Sequence, residues 1–246
     1  MKIKVITFDF WNTLFDSSNG QIRNNERIAA IAEELSKLGI AADIELNPLL
    51  SKAMEYFNSE WINKQTTPDA LQLIEFIWAE LKIKKDLFAM GRLKTVFEEA
   101  VLYYPPALTD GVREALNELE QYYKLAIVSD TGFSPGRILK SLLNTEDILH
   151  CFSAFSFSNE TKTAKPNIYA FEYALQQVGC SPEEAIHIGD IERTDIVGAK
   201  SIGMKAIRYN GDSKSNNYNE NDLNSIADFC SDNWGDIVTW ISNYAK

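Results

Sequence analysis

The sequence predicts a doubly wound α/β fold, a mostly parallel sheet with helices on both faces, and a separate all-helical unit inserted after the first strand. Three observations lead there. Short apolar runs rich in β-branched and aromatic residues end in a polar side chain at Val5 to Asp9, Lys124 to Ser129 and Ala185 to Asp190, the pattern of strands buried on both faces. From about residue 105 these runs alternate with amphipathic helical stretches, and that order implies parallel strands joined by crossover helices. Between about Ser18 and Tyr103 no strand pattern appears. The expected boundaries are 1–14 with 105–246 for the sheet unit and 15–104 for the helical one.

Taken in order, Val5-Ile6-Thr7-Phe8 forms the first strand and Asp9 its carboxyl tip, where ligands bind in open α/β sheets. Read alone, Asp9 is equally a cap on the following turn. Four helical patterns follow, near 21–38, 47–63, 68–82 and 86–103. The first places Ile22, Ile28, Ile31, Ala32 and Leu35 near helical spacing and stops at Gly39. The third opens on Thr66-Thr67-Pro68-Asp69, with a threonine cap and proline at the first helical position. Met54, Tyr56, Phe57 and Trp61 form a stripe on the second helix, expected to pack the helices together. Pro105-Pro106 closes the block, and Val112 to Leu116 begins an amphipathic helix. Then come a strand at Lys124–Ser129, a strand at Phe152–Phe157 and a helix from Pro166 to Val178. They are followed by a strand at Ala185–Asp190, a helix from about Thr194 to Ile202 and a strand at Lys205–Arg208. Segment 210–224 is polar and reads as a loop, Ile226–Phe229 as an edge strand, and Trp234–Tyr244 as a closing helix.

Composition narrows the function. A net charge of −11 argues against nucleic-acid or anionic-membrane binding, while a locally positive site can still take an anionic small molecule. No apolar run approaches the ~20 residues that span a bilayer, and no secretory signal precedes the first strand. Cys151, Cys180 and Cys230 are few and widely spaced, which suggests buried thiols in a reducing compartment, hence the cytoplasm. A monomer or a homodimer is expected.

The strand tips carry the chemistry. Asp9 ends the first strand, Ser129 the second, Lys165 follows the third, and Asp190 ends the fourth with Asp195 five residues on. All lie at one edge of a parallel sheet, so they converge. A carboxylate nucleophile, a hydroxyl, a cation and an acidic pair suit displacement at phosphorus, where positioning and electrostatics dominate. His187 reads as a core histidine, Asp195 as a ligand or a helix cap, Lys162 as solvated, and His150 beside Cys151 lacks metal-site spacing.

These residues resemble the motifs of the haloacid dehalogenase superfamily of hydrolases, over nearly the whole chain. Asp9-Phe10-Trp11-Asn12-Thr13 matches its first motif, Ser129 its second, Lys165-Pro166 its third, and Gly189-Asp190 with Asp195 its fourth. The resemblance implies a Rossmann-like core with an inserted helical cap that closes over the site. It implies Asp9 as nucleophile with Ser129 and Lys165 as catalytic partners. Thr13, Ser129, Asp130 and Lys165 would bind the phosphate, and Asp9, the Trp11 backbone carbonyl, Asp190 and Asp195 would hold Mg²⁺. One position departs from the pattern: Trp11 stands where the family's phosphatases carry a second Asp that protonates the leaving group and then activates water. An indole N–H only donates and does not titrate usefully. Three functions follow: a Mg²⁺-dependent phosphatase of small phosphorylated metabolites, a 2-haloacid dehalogenase, or a catalytically weak binding protein. The family's dehalogenases carry an aromatic residue at the Trp11 position, work without metal, have uncharged polar residues in place of Gly189-Asp190, and use an arginine after the first motif. Arg23 and Arg27 are the nearby arginines, and neither has that spacing.

Overall fold

Val5–Phe8 (β1) lies in the middle of the sheet, and its composition explains why: all four residues are buried, so an alternating polar face would have been excluded from that place. In the computed structural model, which describes residues 2–40, 45–212 and 225–244, β1 is followed by four helices, α1 (Gly20–Lys37), α2 (Leu46–Lys64), α3 (Ala70–Glu80) and α4 (Leu87–Tyr103). Next come α5 (Val112–Leu119), β2 (Lys124–Ser129), α6 (Gly136–Thr145), β3 (Phe152–Phe157), the single turn α7 (Ser158–Thr161) and α8 (Ile168–Val178). The chain ends with β4 (Ala185–Gly189), α9 (Val197–Ser201), β5 (Lys205–Tyr209), β6 (Phe229–Ser231) and α10 (Trp234–Tyr244).

The strand order is β3-β2-β1-β4-β5-β6, and each pairing is parallel. From β1 the chain builds outward to β3 on one side, then returns to β4 and builds outward on the other. The switch point beside β1 opens a crevice at the carboxyl tips, which is where ligands bind in such sheets. Ile6, Phe8, Leu125 and Ile127 face a core closed by α5, α6 and α10. Val5, Ala126, Val128 and Ala154 face the other way, against α8 and α9. The second face is built of small residues, which let α8 approach the strands closely.

Helices α1 to α4 enclose an apolar core of their own, around Ile31, Leu73, Ile77, Trp78 and Phe97. They pack as hydrophobic faces meeting, since helices of this length gain most of their stability from packing rather than propensity. Among the described residues no helix is long and apolar enough to cross a membrane.

Several expectations change. The third helix begins at Ala70, and its cap is Asp69 in a capping box with Gln72 rather than a threonine, which leaves Pro68 outside. Asp at the cap accepts the Gln72 N–H and Gln72 returns a bond to the Asp69 N–H, two orphan donors satisfied at once. Asn167 caps α8, so that helix starts at Ile168 rather than Pro166. The helix expected from Thr194 opens as a π-turn over Glu192–Ile196 before α9. The edge strand lies at Phe229–Ser231, beyond the expected Ile226–Phe229. Of the loop read at 210–224, residues 213–224 lie outside the described residues. Helix α6 is an addition to the sequence reading. The thiols differ among themselves: Cys151 is buried, Cys180 half-buried and Cys230 exposed.

Candidate active site

Strand register assembles the site. Phe8 pairs with Ile127 on one side and Ile188 on the other, so Asp9, Ser129 and Asp190 emerge beside one another. The Asp9 N–H donates to the Ile188 carbonyl at 2.8 Å, which fixes the first residue past the strand. The chain then turns back sharply: Asn12 adopts a left-handed conformation with φ 57°, which asparagine tolerates better than most residues.

Lys165 is the hub. Its Nζ donates to Asp9 Oδ1 at 2.5 Å and to Asp195 Oδ1 at 2.6 Å, and the residue is 2% exposed. Burial alone would favour the neutral amine, but the carboxylates of Asp195, Asp9 and Asp130 outweigh it and hold Lys165 charged. Asp195 is fixed on every side. Besides Lys165, its Oδ1 faces His187 Nε2 at 3.1 Å, and its Oδ2 accepts from the Ile191 N–H at 3.0 Å. Burial would raise its pKa, yet Lys165 and His187 pull it below the usual carboxylate range. Gly189 makes this packing feasible, since a Cβ there would meet the Asp195 carboxyl carbon at 2.4 Å. His187 is a core histidine, as its sequence position suggests. It also orients Asp195, with its other nitrogen 2.8 Å from Thr7 Oγ1, and burial lowers its pKa.

Asp9 and Asp190 stand differently. Burial pushes Asp9 up to about 7, with Lys165 working against it. Burial, then the charges of Asp195 and Asp9, raises Asp190 well above the ordinary range. One lysine serves Asp9, Asp190 and Asp195, so the three cannot all be ionised without a further cation. Asp9, Asp190 and Asp195 offer oxygens within 4.8 Å of one another. Among the described residues, Asp190 Oδ1 is buried with no hydrogen-bond partner, as are Thr13 Oγ1 and Ser129 Oγ. Buried polar atoms are normally satisfied. An oxygen-only donor set of this kind fits a small hard divalent cation, and the two hydroxyls suit an oxyanion.

The structure therefore brings Asp9, Ser129, Lys165, Asp190 and Asp195 to one edge. Asp9, Trp11, Asp130, Lys165, Asp190 and Asp195 line one cavity of about 340 Å³. The Asp130 side chain is engaged on both oxygens: its Oδ1 accepts from the Lys165 backbone N–H at 2.9 Å and its Oδ2 from Trp61 Nε1 at 2.8 Å. It thus ties the site to α2.

The helical block contributes residues that sequence reasoning assigned elsewhere. Of the stripe on α2, Tyr56 does stack within the block, on Phe76. Phe57 also packs against the block's core while lining the cavity; Met54 and Trp61 line the cavity, and Arg193 lies over the Trp61 ring at 4.6 Å. Arg23 and Arg27 line it too. Both are buried, and neither forms an ion pair with a carboxylate among the described residues. Arg23 Nη1 donates to the carbonyls of Ser18 and Tyr104. Arg27 donates to the Phe97 carbonyl, with its guanidinium 4.1 Å from the centre of the Phe133 ring. Burial, then the neighbouring Arg23, lowers Arg27 to about 9. Away from this cavity, at the opposite edge of the sheet, the fold brings Glu120 to His150 and Cys151. Burial holds that thiol protonated, with its pKa near 12, which disfavours it as a metal ligand.

Comparison with known proteins agrees with this geometry. The family model for haloacid dehalogenase-like hydrolases matches residues 3–203. The glyceraldehyde 3-phosphate phosphatase of Pyrococcus furiosus is 27% identical over 230 residues, covering 90% of this chain and 85% of that protein. Its namesake from Methanothermobacter thermautotrophicus is 42% identical over 65 residues, only 26% of this chain and 29% of that protein. (S)-2-haloacid dehalogenase 4A of Burkholderia cepacia is 24% identical, with coverage of 85% and 83%. Among solved structures, a 2-haloacid dehalogenase from Pseudomonas syringae pv. Tomato DC3000 shares the fold, with a TM-score of 0.71 at 21% identity over 98% of this chain and 99% of that one.

Proposed function

Because the chain belongs to the haloacid dehalogenase-like hydrolases, we propose that it is a Mg²⁺-dependent phosphatase of small anionic metabolites, with Asp9 as nucleophile. The observation that carries this reading is Asp190. Its buried, unpartnered Oδ1 beside Asp9 supports a cation site, and the family's dehalogenases lack an acid there.

In this reading the phosphoryl group sits at the tip of β1. Asp9 Oδ2 attacks phosphorus and the bond to the leaving group breaks, giving an aspartyl phosphate that water then hydrolyses. Lys165 holds Asp9 in place through Oδ1. Ser129 and Thr13 hydroxyls, with backbone N–H groups of the first turn, hold the equatorial oxygens, and Lys165 neutralises their charge. Asp9, Asp190 and the Trp11 backbone carbonyl would hold Mg²⁺; Asp195, expected as a further ligand, has both oxygens engaged by Lys165, His187 and the Ile191 N–H and would steady the arrangement instead. The bound cation would offset the excess negative charge and polarise the phosphoryl oxygens. Residues 15–104 act as a cap that closes the cavity, clasped by Trp61 on Asp130, and keep water out during the first step. The cytoplasm is the compartment consistent with its free thiols.

Phosphate release from a panel of phosphorylated metabolites, with and without EDTA, tests this. Release is expected with Mg²⁺, is lost in EDTA, and is lost in Asp9→Asn with the fold intact. The aromatic Trp11 and the two cavity arginines favour one second reading, a dehalogenase. Metal-independent halide release from 2-chloropropanoate, with no phosphate release, would establish it instead.

A further inference from the structure

Among the described residues the cavity offers no group free to protonate a leaving group. Its titratable lining among the described residues is Asp9, Arg23, Arg27, Asp130, Lys165, Asp190 and Asp195. In the reading above, on which this inference rests, Asp9 is the nucleophile and Asp190 a ligand of the cation, so neither carries a proton to the leaving group. Asp195 has both oxygens engaged, by Lys165 and His187 on one side and the Ile191 N–H on the other. Asp130 likewise accepts through both oxygens, from the Lys165 N–H and from Trp61. Lys165 Nζ is committed to Asp9 and Asp195. Arg23 and Arg27 are guanidinium cations at neutral pH and offer charge rather than a proton. Glu192, near in sequence, points elsewhere: it accepts from Ser225 Oγ at 2.6 Å and the Ile226 N–H at 2.9 Å. Trp11 occupies the place two residues beyond the nucleophile, and indole cannot serve as an acid.

What the cavity does offer the departing group is positive charge. Arg23 and Arg27 are buried guanidinium groups lining it, without an ion-paired carboxylate among the described residues. A buried charge left without a counter-charge is costly, so both are suited to a ligand anion. Arg27 is held rigidly, by Asn24 Oδ1 at 2.8 Å, the Phe97 carbonyl and the Phe133 ring.

We infer that the leaving group departs from this site unprotonated, as an anion received by Arg23 and Arg27, and that the substrates are acyl phosphates rather than phosphorylated alcohols. The balance is complete without an acid. An Asp9 carboxylate oxygen forms a bond to phosphorus as the bond from phosphorus to the acyl oxygen breaks. That oxygen keeps the electron pair, and a carboxylate leaves. In the second half water adds to phosphorus, the Asp9 carboxylate leaves with its electron pair, and both protons of the water remain on the phosphate product as dihydrogen phosphate. Both halves expel a carboxylate from an acyl phosphate. A site that can release its own aspartyl phosphate without an acid is therefore equipped to accept another acyl phosphate. A phosphorylated alcohol would have to expel an alkoxide, and general acid catalysis of such a step is worth ~10²–10⁴-fold.

The test uses the full chain with Mg²⁺ and initial rates of phosphate release from acetyl phosphate, 4-nitrophenyl phosphate, phenyl phosphate and ethyl phosphate, whose leaving groups grow steadily more basic. The expected result is a kcat/KM that falls through the whole series without levelling, with ethyl phosphate at least ~10²-fold below acetyl phosphate. Ethyl phosphate within tenfold of acetyl phosphate would overturn the inference and leave the phosphatase reading standing. No phosphate release from any of the four would overturn both.

Discussion

Replacing Lys165 by methionine keeps the length of the side chain and removes its charge. The loss can be estimated from the contacts. The ammonium is buried and bonded at 2.5 Å to Asp9 and 2.6 Å to Asp195, so its removal strands carboxylates that cannot reach water. Breaking a buried pair from one side costs ~3–5 kcal/mol, and for a chain of this length that lowers Tm by roughly 6–20 °C. The penalty depends on pH. Well above 7 the stranded carboxylates are charged and the loss is full; toward about pH 5 they take up protons and the loss shrinks. Mg²⁺ supplies positive charge to the same oxygens, so it stabilises the variant more than the wild type. Thermal melts of both proteins at about pH 8 and about pH 5, in EDTA and in Mg²⁺, measure all of this, and phosphate release is lost throughout. A Tm within about 2 °C of wild type at the higher pH would refute the hub role of Lys165, because it corresponds to no more than ~1 kcal/mol.

Three further outcomes follow from the site. Trp11→Asp restores a carboxylate beyond the nucleophile and raises ethyl phosphate turnover by up to ~10²-fold; a flat or lower rate with Mg²⁺ affinity intact would refute the missing-acid account. In EDTA the wild type loses stability as pH rises through about 7, because Asp9 has its pKa raised to about that value by burial. A group whose folded pKa lies above its unfolded one stabilises fully only below the unfolded value, and melts across about pH 4 to 8 that stay level would contradict it. Trp61→Phe leaves Asp130 Oδ2 without its indole donor. Urea unfolding should then show a loss of ~1–3 kcal/mol, and an unchanged midpoint would remove Trp61 as the clasp.

The tips of the sheet were legible because two local signals coincide there: a short apolar run, and a polar residue at its end. Alternation implies parallel strands, which is why Asp9, Ser129, Lys165 and Asp190 are expected at one edge; the strand order that sets β2 and β4 on either side of β1 comes from the structure. The cavity wall was not legible. Trp61 sits on a helical apolar stripe whose usual fate is packing, and its partner Asp130 lies 69 residues away. Arg23 and Arg27 carry no local mark that distinguishes a cavity-facing cation from a solvated one; only the packing of α1 against α4 decides it. Helix α6 has Ile138, Leu139, Leu142 and Leu143 buried at helical spacing, but Ser134-Pro135-Gly136 before it reads as a turn. The Asp69 cap was missed for a simpler reason: threonine, proline and aspartate in succession offer competing helix starts, and the reciprocal bond with Gln72 settles which one is used.

The chain crosses between the sheet and the helical block through two segments that touch. The Asp16 N–H donates to the Ala107 carbonyl at 2.8 Å, and Asn19 Nδ2 to the Pro105 carbonyl at 2.7 Å. Topologically the block is a parenthesis: its two ends meet where it opens. Closing the gap it would leave takes only a short bridge, and the entropy of such a loop is small. The sheet's own pairings do not pass through those helices, so the wall of the cavity can change around an unchanged floor wherever contacts such as Trp61 on Asp130 are kept. A lineage can rewrite α1 to α4, and with them the shape presented to a substrate, without disturbing the register that aligns Asp9 with its neighbours.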